Sequence, residues 1–153
     1  IGVNSIRRRY HTRGHISLSQ IQEIDLKLQQ APAHKIKLIA AHQPFYTPPD
    51  HSHGVKDCPM LGRIALEQWS QHGLNGLLHG HLHHAAVYDL NQIYQLGVSH
   101  PVLDIHAGTA TSYRLHAGLP NSLNIILPNA DVQHLSFNAE TNHFELMQQN
   151  TSD

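Results

Sequence analysis

The sequence predicts an α/β fold in a single domain whose second half turns to strands. Three observations carry that expectation. Apolar residues recur at helical spacing twice in the first half, at Ile21, Ile24 and Leu28 and again at Ala65 and Trp69. Short apolar runs follow each of these segments, residues 36–41 and 76–78, with the length and composition of strands covered on both faces. From residue 85 onward, short apolar runs succeed one another between turn signals at Gly97, Gly108, Pro120-Asn121, Asn129-Ala130-Asp131 and Glu140-Thr141-Asn142. A chain of 153 residues is long enough for one real core and too short for two ordinary domains.

Taken in order, residues 1–4 read as the end of a strand, and residues 5–16 as a polar, turn-rich connection. Ser17 and Ser19 are each followed three positions later by a glutamine, Gln20 and Gln22, which is the spacing of a capping box. A helix is therefore expected from there to about Gln30, with Pro32 closing it. Residues 36–41 form the first internal strand, and Pro44 ends regular pairing soon after it. Residues 45–60 make a long loop with Pro48, Pro49, Gly54 and Pro59, and long loops in compact domains often carry function. The second helix is expected over residues 61–72, burying Ile64 or Ala65 together with Trp69, and Gly73 stops it. A strand at 76–78 follows, then strands at 87–90, 93–96, 102–107, 123–127, 132–137 and 144–147.

Composition excludes several classes of partner. The formal net charge is −1, so no general basic field points to nucleic acid or an anionic membrane. Arg7-Arg8-Arg9 is the one basic cluster, and without interleaved aromatics it reads as a solvated loop. Cys58 is the only cysteine, which rules out an internal disulfide and a cysteine-rich zinc site. No apolar run reaches the roughly 18 residues of a membrane span, and the expectation is a cytoplasmic protein.

The outlier is histidine, with 16 residues scattered from His11 to His143. Most must be ordinary surface or hydrogen-bonded rings, because one metal site uses only a few. Position singles out His79-Gly80-His81-Leu82-His83-His84, which follows one apolar run and precedes another. Imidazole is the commonest side-chain ligand for transition metals, and histidines spaced by two can aim nitrogens at one point. His42 stands in a similar place, just past the run Ile36–Ala41. Two strands ending in histidine make a metal site the leading reading.

These residues also carry a resemblance. Ala41-His42-Gln43-Pro44 followed by Gly80-His81-Leu82-His83 resembles the last two metal motifs of the calcineurin-like metallophosphoesterases. The segment Ala107-Gly108-Thr109-Ala110-Thr111-Ser112 with Pro120-Asn121-Ser122-Leu123-Asn124 is similar to the stretch that follows those motifs in many bacterial members. The resemblance implies the C-terminal half of a four-layer αββα sandwich. It also implies a dinuclear site in which two divalent ions (Mn, Fe, Zn or Co) lie about 3.5–4 Å apart, polarise a phosphate and generate a hydroxide nucleophile. His42 and His81 would bind one ion and His83 the other, with Gly80 letting the backbone turn. His51, His53 and Asp57, in the loop after His42, are candidate substrate contacts for a phosphodiester. His79 is expected in a supporting role.

The family's Asp-x-His, Gly-Asp-x-x-Asp and Gly-Asn-His-Asp/Glu motifs belong upstream of His42, and none stands there. The bridging carboxylate and the general acid are therefore expected upstream of Ile1, and this chain alone is expected to be inactive. Loss of the first strands would leave sheet edges that a homodimer is expected to cover. Two other readings stay open. One is a non-catalytic histidine-rich metal-binding or interaction module. The other is a cupin-like metal protein, because His81-x-His83 with Asp89 and Gly97 loosely resembles the cupin pattern.

Overall fold

The computed structural model describes residues 1–7, 13–49, 54–113, 115 and 118–147. It is a mixed α/β structure with two sheets and few helices. Helix α1 spans Leu18–Gln30 and starts from the first of the two candidate capping boxes. The Gln20 amide donates to Ser17 Oγ at 3.2 Å, and Gln20 Oε1 accepts from the Ser17 amide at 3.0 Å. Two otherwise orphaned amides are thus satisfied together. Ile21, Ile24 and Leu28 are buried, as their spacing requires.

Helix α2 spans Gly62–Ser70 and buries Ala65, Leu66 and Trp69 completely, while Ile64 is 48% exposed. The inward position is therefore Ala65 and not Ile64. Trp69 bonds the helices together, its indole Nε1 donating to the Ile21 carbonyl at 3.0 Å. This satisfies the one polar group on an otherwise apolar ring, as burial demands.

Strands β1 (Leu38–Ala40), β2 (Gly76–His79), β3 (Ala86–Asp89) and β4 (Leu103–His106) form one sheet in the order β1-β2-β4-β3. β1, β2 and β4 are parallel, and β3 runs antiparallel to β4. Residues 1–3 extend this sheet beyond β1, with the Val3 amide donating to Ala40 O and the Ala40 amide to Ile1 O, both at 2.8 Å. β1 is less covered than expected, since Ile39 is buried but Ala40 is exposed.

Residues 93–96 are not a strand. Helix α3 occupies Leu90–Tyr94, with Asp89 as its N-cap and the Asn91 amide donating to Asp89 Oδ1 at 2.9 Å. The short apolar run before Gly97 suggested extended backbone, but the Asp89 cap and the i, i+4 pair Leu90 and Tyr94 favour a helical turn. Gln95, at φ 53°, ends it in the left-handed region.

The second sheet is an antiparallel run, β5 (Ser122–Ile126), β6 (Val132–Asn138) and β7 (His143–Leu146), ordered β5-β6-β7. Each strand lies within a residue or so of its expected place. The sheets meet where β4 hands over to β5. The Ser122 amide donates to Thr109 O at 3.0 Å, and Asn124 Nδ2 to His106 O at 2.8 Å. Core residues Ile39 and Leu77 are register partners on one face of the first sheet, and they pack with the buried stripe of α1 and α2. Among the described residues, no helix is long and apolar enough to cross a membrane.

Candidate metal centre

Parallel strands end at one edge of their sheet, and here that edge gathers histidine. His42 lies two residues past β1, His79 ends β2, His81 and His83 follow it, and His106 ends β4. This is the edge where open α/β sheets ordinarily hold ligands.

The outer part of the cluster joins His42 and His81. His81 Nδ1 stands 3.3 Å from His42 Nε2, with the rings edge-on at 74°. On its other side, His81 Nε2 lies 3.2 Å from Asp57 Oδ1, and the Asp57 side chain is 4% exposed. Asp57 therefore sits behind the His81 ring, at the end of a 3-10 turn over Gly54–Asp57. His83 is half-buried and close enough for its charge to act on His42. Burial, followed by His81, His79 and His83, holds the His42 imidazole below its ordinary pKa, which favours the neutral ring that a metal needs.

The backbone of this turn is unusual. His81 and His83 have φ of 67° and 55°, in the left-handed region that residues other than glycine occupy uncommonly, with asparagine, aspartate and histidine the commonest of them. Gly80, expected to supply the bend, does not have positive φ and has open space where a Cβ would stand. The bend therefore falls on the two histidines themselves.

A second group lies inside. His79 and His106 are direct partners across β2 and β4, and Asp104 lies two residues before His106 on the same face. His79 Nε2 is 3.0 Å from Asp104 Oδ1, and His106 Nε2 is 3.1 Å from Asp104 Oδ2. Their side chains are 0%, 0% and 1% exposed for His79, Asp104 and His106. The Tyr46 amide also donates to Asp104 Oδ2, at 2.9 Å, tying the loop after β1 to the group. Burial pushes the Asp104 carboxyl up, but the His106 hydrogen bond and the adjacent His79 ring outweigh it and hold it below the usual range. His106 is likewise held low by burial, partly offset by Asp104. Ligand atoms of these three residues all lie within 4.8 Å of one another, so the group could hold a metal ion.

The sequence reading reached His42, His81 and His83 but passed over Asp104 and His106. A signal was present, because Asp104-Ile105-His106 is an Asp-x-His on an apolar strand, and that spacing puts both side chains on one face. Of the expected substrate contacts, Asp57 is buried against His81, while His51 and His53 lie outside the described residues. Cys58, close by, has its thiol pushed up to about 12 by burial, with Asp104 and Asp57 adding to the effect. Comparison with known proteins finds no family model and no curated protein that matches this chain.

Proposed function

We propose that this chain is the C-terminal half of a calcineurin-like metallophosphoesterase domain. In the parent enzyme, His42 and His81 hold one divalent ion, His83 holds a second, and the pair hydrolyses phosphodiesters. The observation that carries this reading is the 3.3 Å approach of His42 Nε2 to His81 Nδ1. Two nitrogens bound to one ion at about 2.1 Å and at a tetrahedral angle lie about 3.4 Å apart. Asp57 supports it as the outer carboxylate that fixes a metal-bound ring. Left-handed backbone at His81 and His83 is the kind of strain that collects at functional turns. Helices against a sheet whose parallel strands end in histidine, with a second sheet joined after β4, suit half of an αββα sandwich.

In such a site the ions supply Lewis acidity and a hydroxide nucleophile at neutral pH. This chain's share is to offer neutral imidazoles at a fixed edge and to orient His81 through Asp57. Three imidazoles without a bridging carboxylate do not complete a two-ion site, so the isolated chain is expected not to hydrolyse esters. The test is bis(p-nitrophenyl) phosphate hydrolysis with Mn²⁺ or Zn²⁺, by this chain and by a longer form carrying native upstream sequence. Activity in the longer form that is lost in His42→Ala and His81→Ala supports the proposal. A longer form that binds metal but stays inactive on mono- and diesters refutes it and favours the metal-binding module.

A further inference from the structure

We infer that His79, Asp104 and His106 form a separate, closed binding site for a zinc-class divalent cation, which clamps β2 to β4 beneath the outer histidines. Proton placement makes the case. His79 Nδ1 lies 3.3 Å from the carbonyl of Gly80, and a carbonyl only accepts, so Nδ1 carries the proton of that bond. In a neutral ring this leaves Nε2 without a proton, with Asp104 Oδ1 3.0 Å away. Two acceptors in contact repel unless a cation sits between them. The structure agrees, since neither His79 Nε2 nor Asp104 Oδ1 has a hydrogen-bond partner, although both atoms are buried. Buried atoms of this kind call for an explanation, and a bound ion is one of the few that serves.

The ligand chemistry matches. Ligands about 2.1 Å from one ion and 90–110° apart are separated by about 3.0–3.4 Å. The contacts of Asp104 with His79 and His106, at 3.0 and 3.1 Å, fall in that range, and an ion entering there displaces the proton that His106 Nε2 donates to Asp104 Oδ2. A ring that binds metal through one nitrogen and donates from the other to a backbone carbonyl is the usual outer arrangement, and His79 with Gly80 reproduces it. Charge points the same way. Among the described residues the ion pairs of Asp104 are with histidines, so no lysine or arginine offsets its buried carboxylate. Imidazole with carboxylate suits Zn²⁺ or Co²⁺, and the two rings with both oxygens of Asp104 offer the four donor atoms of a structural ion.

The test loads metal-free chain with Zn²⁺, removes excess by gel filtration and counts ions per chain by mass spectrometry. It uses wild type, Asp104→Asn and the triple variant His42→Ala/His81→Ala/His83→Ala. The triple variant is expected to keep one tightly held ion, and Asp104→Asn to bind it at least about 100-fold more weakly, beyond the roughly 10–100-fold typical of an outer partner. An emptied triple variant, or a folded Asp104→Asn that retains this ion, overturns the inference. Anomalous scattering from Zn²⁺-loaded wild-type crystals decides the matter should Asp104→Asn not fold. A peak among His79, Asp104 and His106 supports the site, and the absence of one there overturns it. A peak between His42 and His81 bears separately on the proposed phosphoesterase centre, so either idea can fail alone.

Discussion

Replacing Gly108 with alanine probes the junction on which the two sheets depend. An alanine Cβ there would overlap Ser122 Oγ and come within 3.1 Å of Ser122 Cβ and 3.4 Å of Ser122 O. Overpacking of this sort costs about 1–3 kcal/mol. Gly108 does not have positive φ, so alanine adds no backbone strain and recovers about 0.4–1 kcal/mol from the unfolded chain. The net expectation is a loss of about 1–2 kcal/mol, or about 2–8 °C in Tm at this chain length. Urea unfolding followed by circular dichroism measures it. Ser122 Oγ is the main obstacle, so adding Ser122→Ala to Gly108→Ala should return at least half of the lost stability. That makes a coupling of about 0.5–1 kcal/mol in a double-mutant cycle. A Gly108→Ala chain as stable as wild type, or purely additive single changes, would mean that the sheets do not meet at these residues.

Two further outcomes follow from the site's electrostatics. With metal removed by chelator, stability should decline on acidification from pH 7 to pH 5. His42, His106 and His134 are all held below the ordinary 6.5, chiefly by burial, so the unfolded chain takes up protons first as pH falls through that value. Asp104, low against 3.8, extends the loss at still lower pH. A urea midpoint that rises between pH 7 and pH 5 would contradict this assignment. Cys58, with its thiol at about 12 against the usual 9.0, should be alkylated by iodoacetamide at pH 8 about 10³-fold more slowly folded than unfolded, and equal rates would show an open thiol.

Local chemistry was legible in the sequence, and long-range register was not. Ser17 and Gln20 announce α1 because a capping box is complete within four residues. Trp69 and the Ile21, Ile24 and Leu28 stripe announce their burial because helical period alone decides it. Residues 93–96 misled because Asp89, the cap that starts the helix ending at Tyr94, stands outside the run that looked strand-like. Among the site residues, His42, His81 and His83 stood out beside glycine and proline at strand ends. Asp104 and His106 did not, since their meaning comes from the pairing of His79 with His106 across the β2–β4 register. Nothing in either strand's own sequence specifies that pairing. A carboxylate and a histidine two apart on an otherwise apolar strand were the available hint.

If His81 and His83 bind metal as proposed, their left-handed backbone sets that binding against folding within a single turn. Such a conformation costs a residue with a Cβ about 1–2 kcal/mol, which glycine would avoid and asparagine would reduce. A search for more stable versions of this chain will therefore reach these two positions early and replace the imidazoles. The products would be firmer folds stripped of their outer nitrogens. Thermal tolerance alone is thus a misleading guide to improvement here, and screens on this scaffold need a metal readout beside the melting curve.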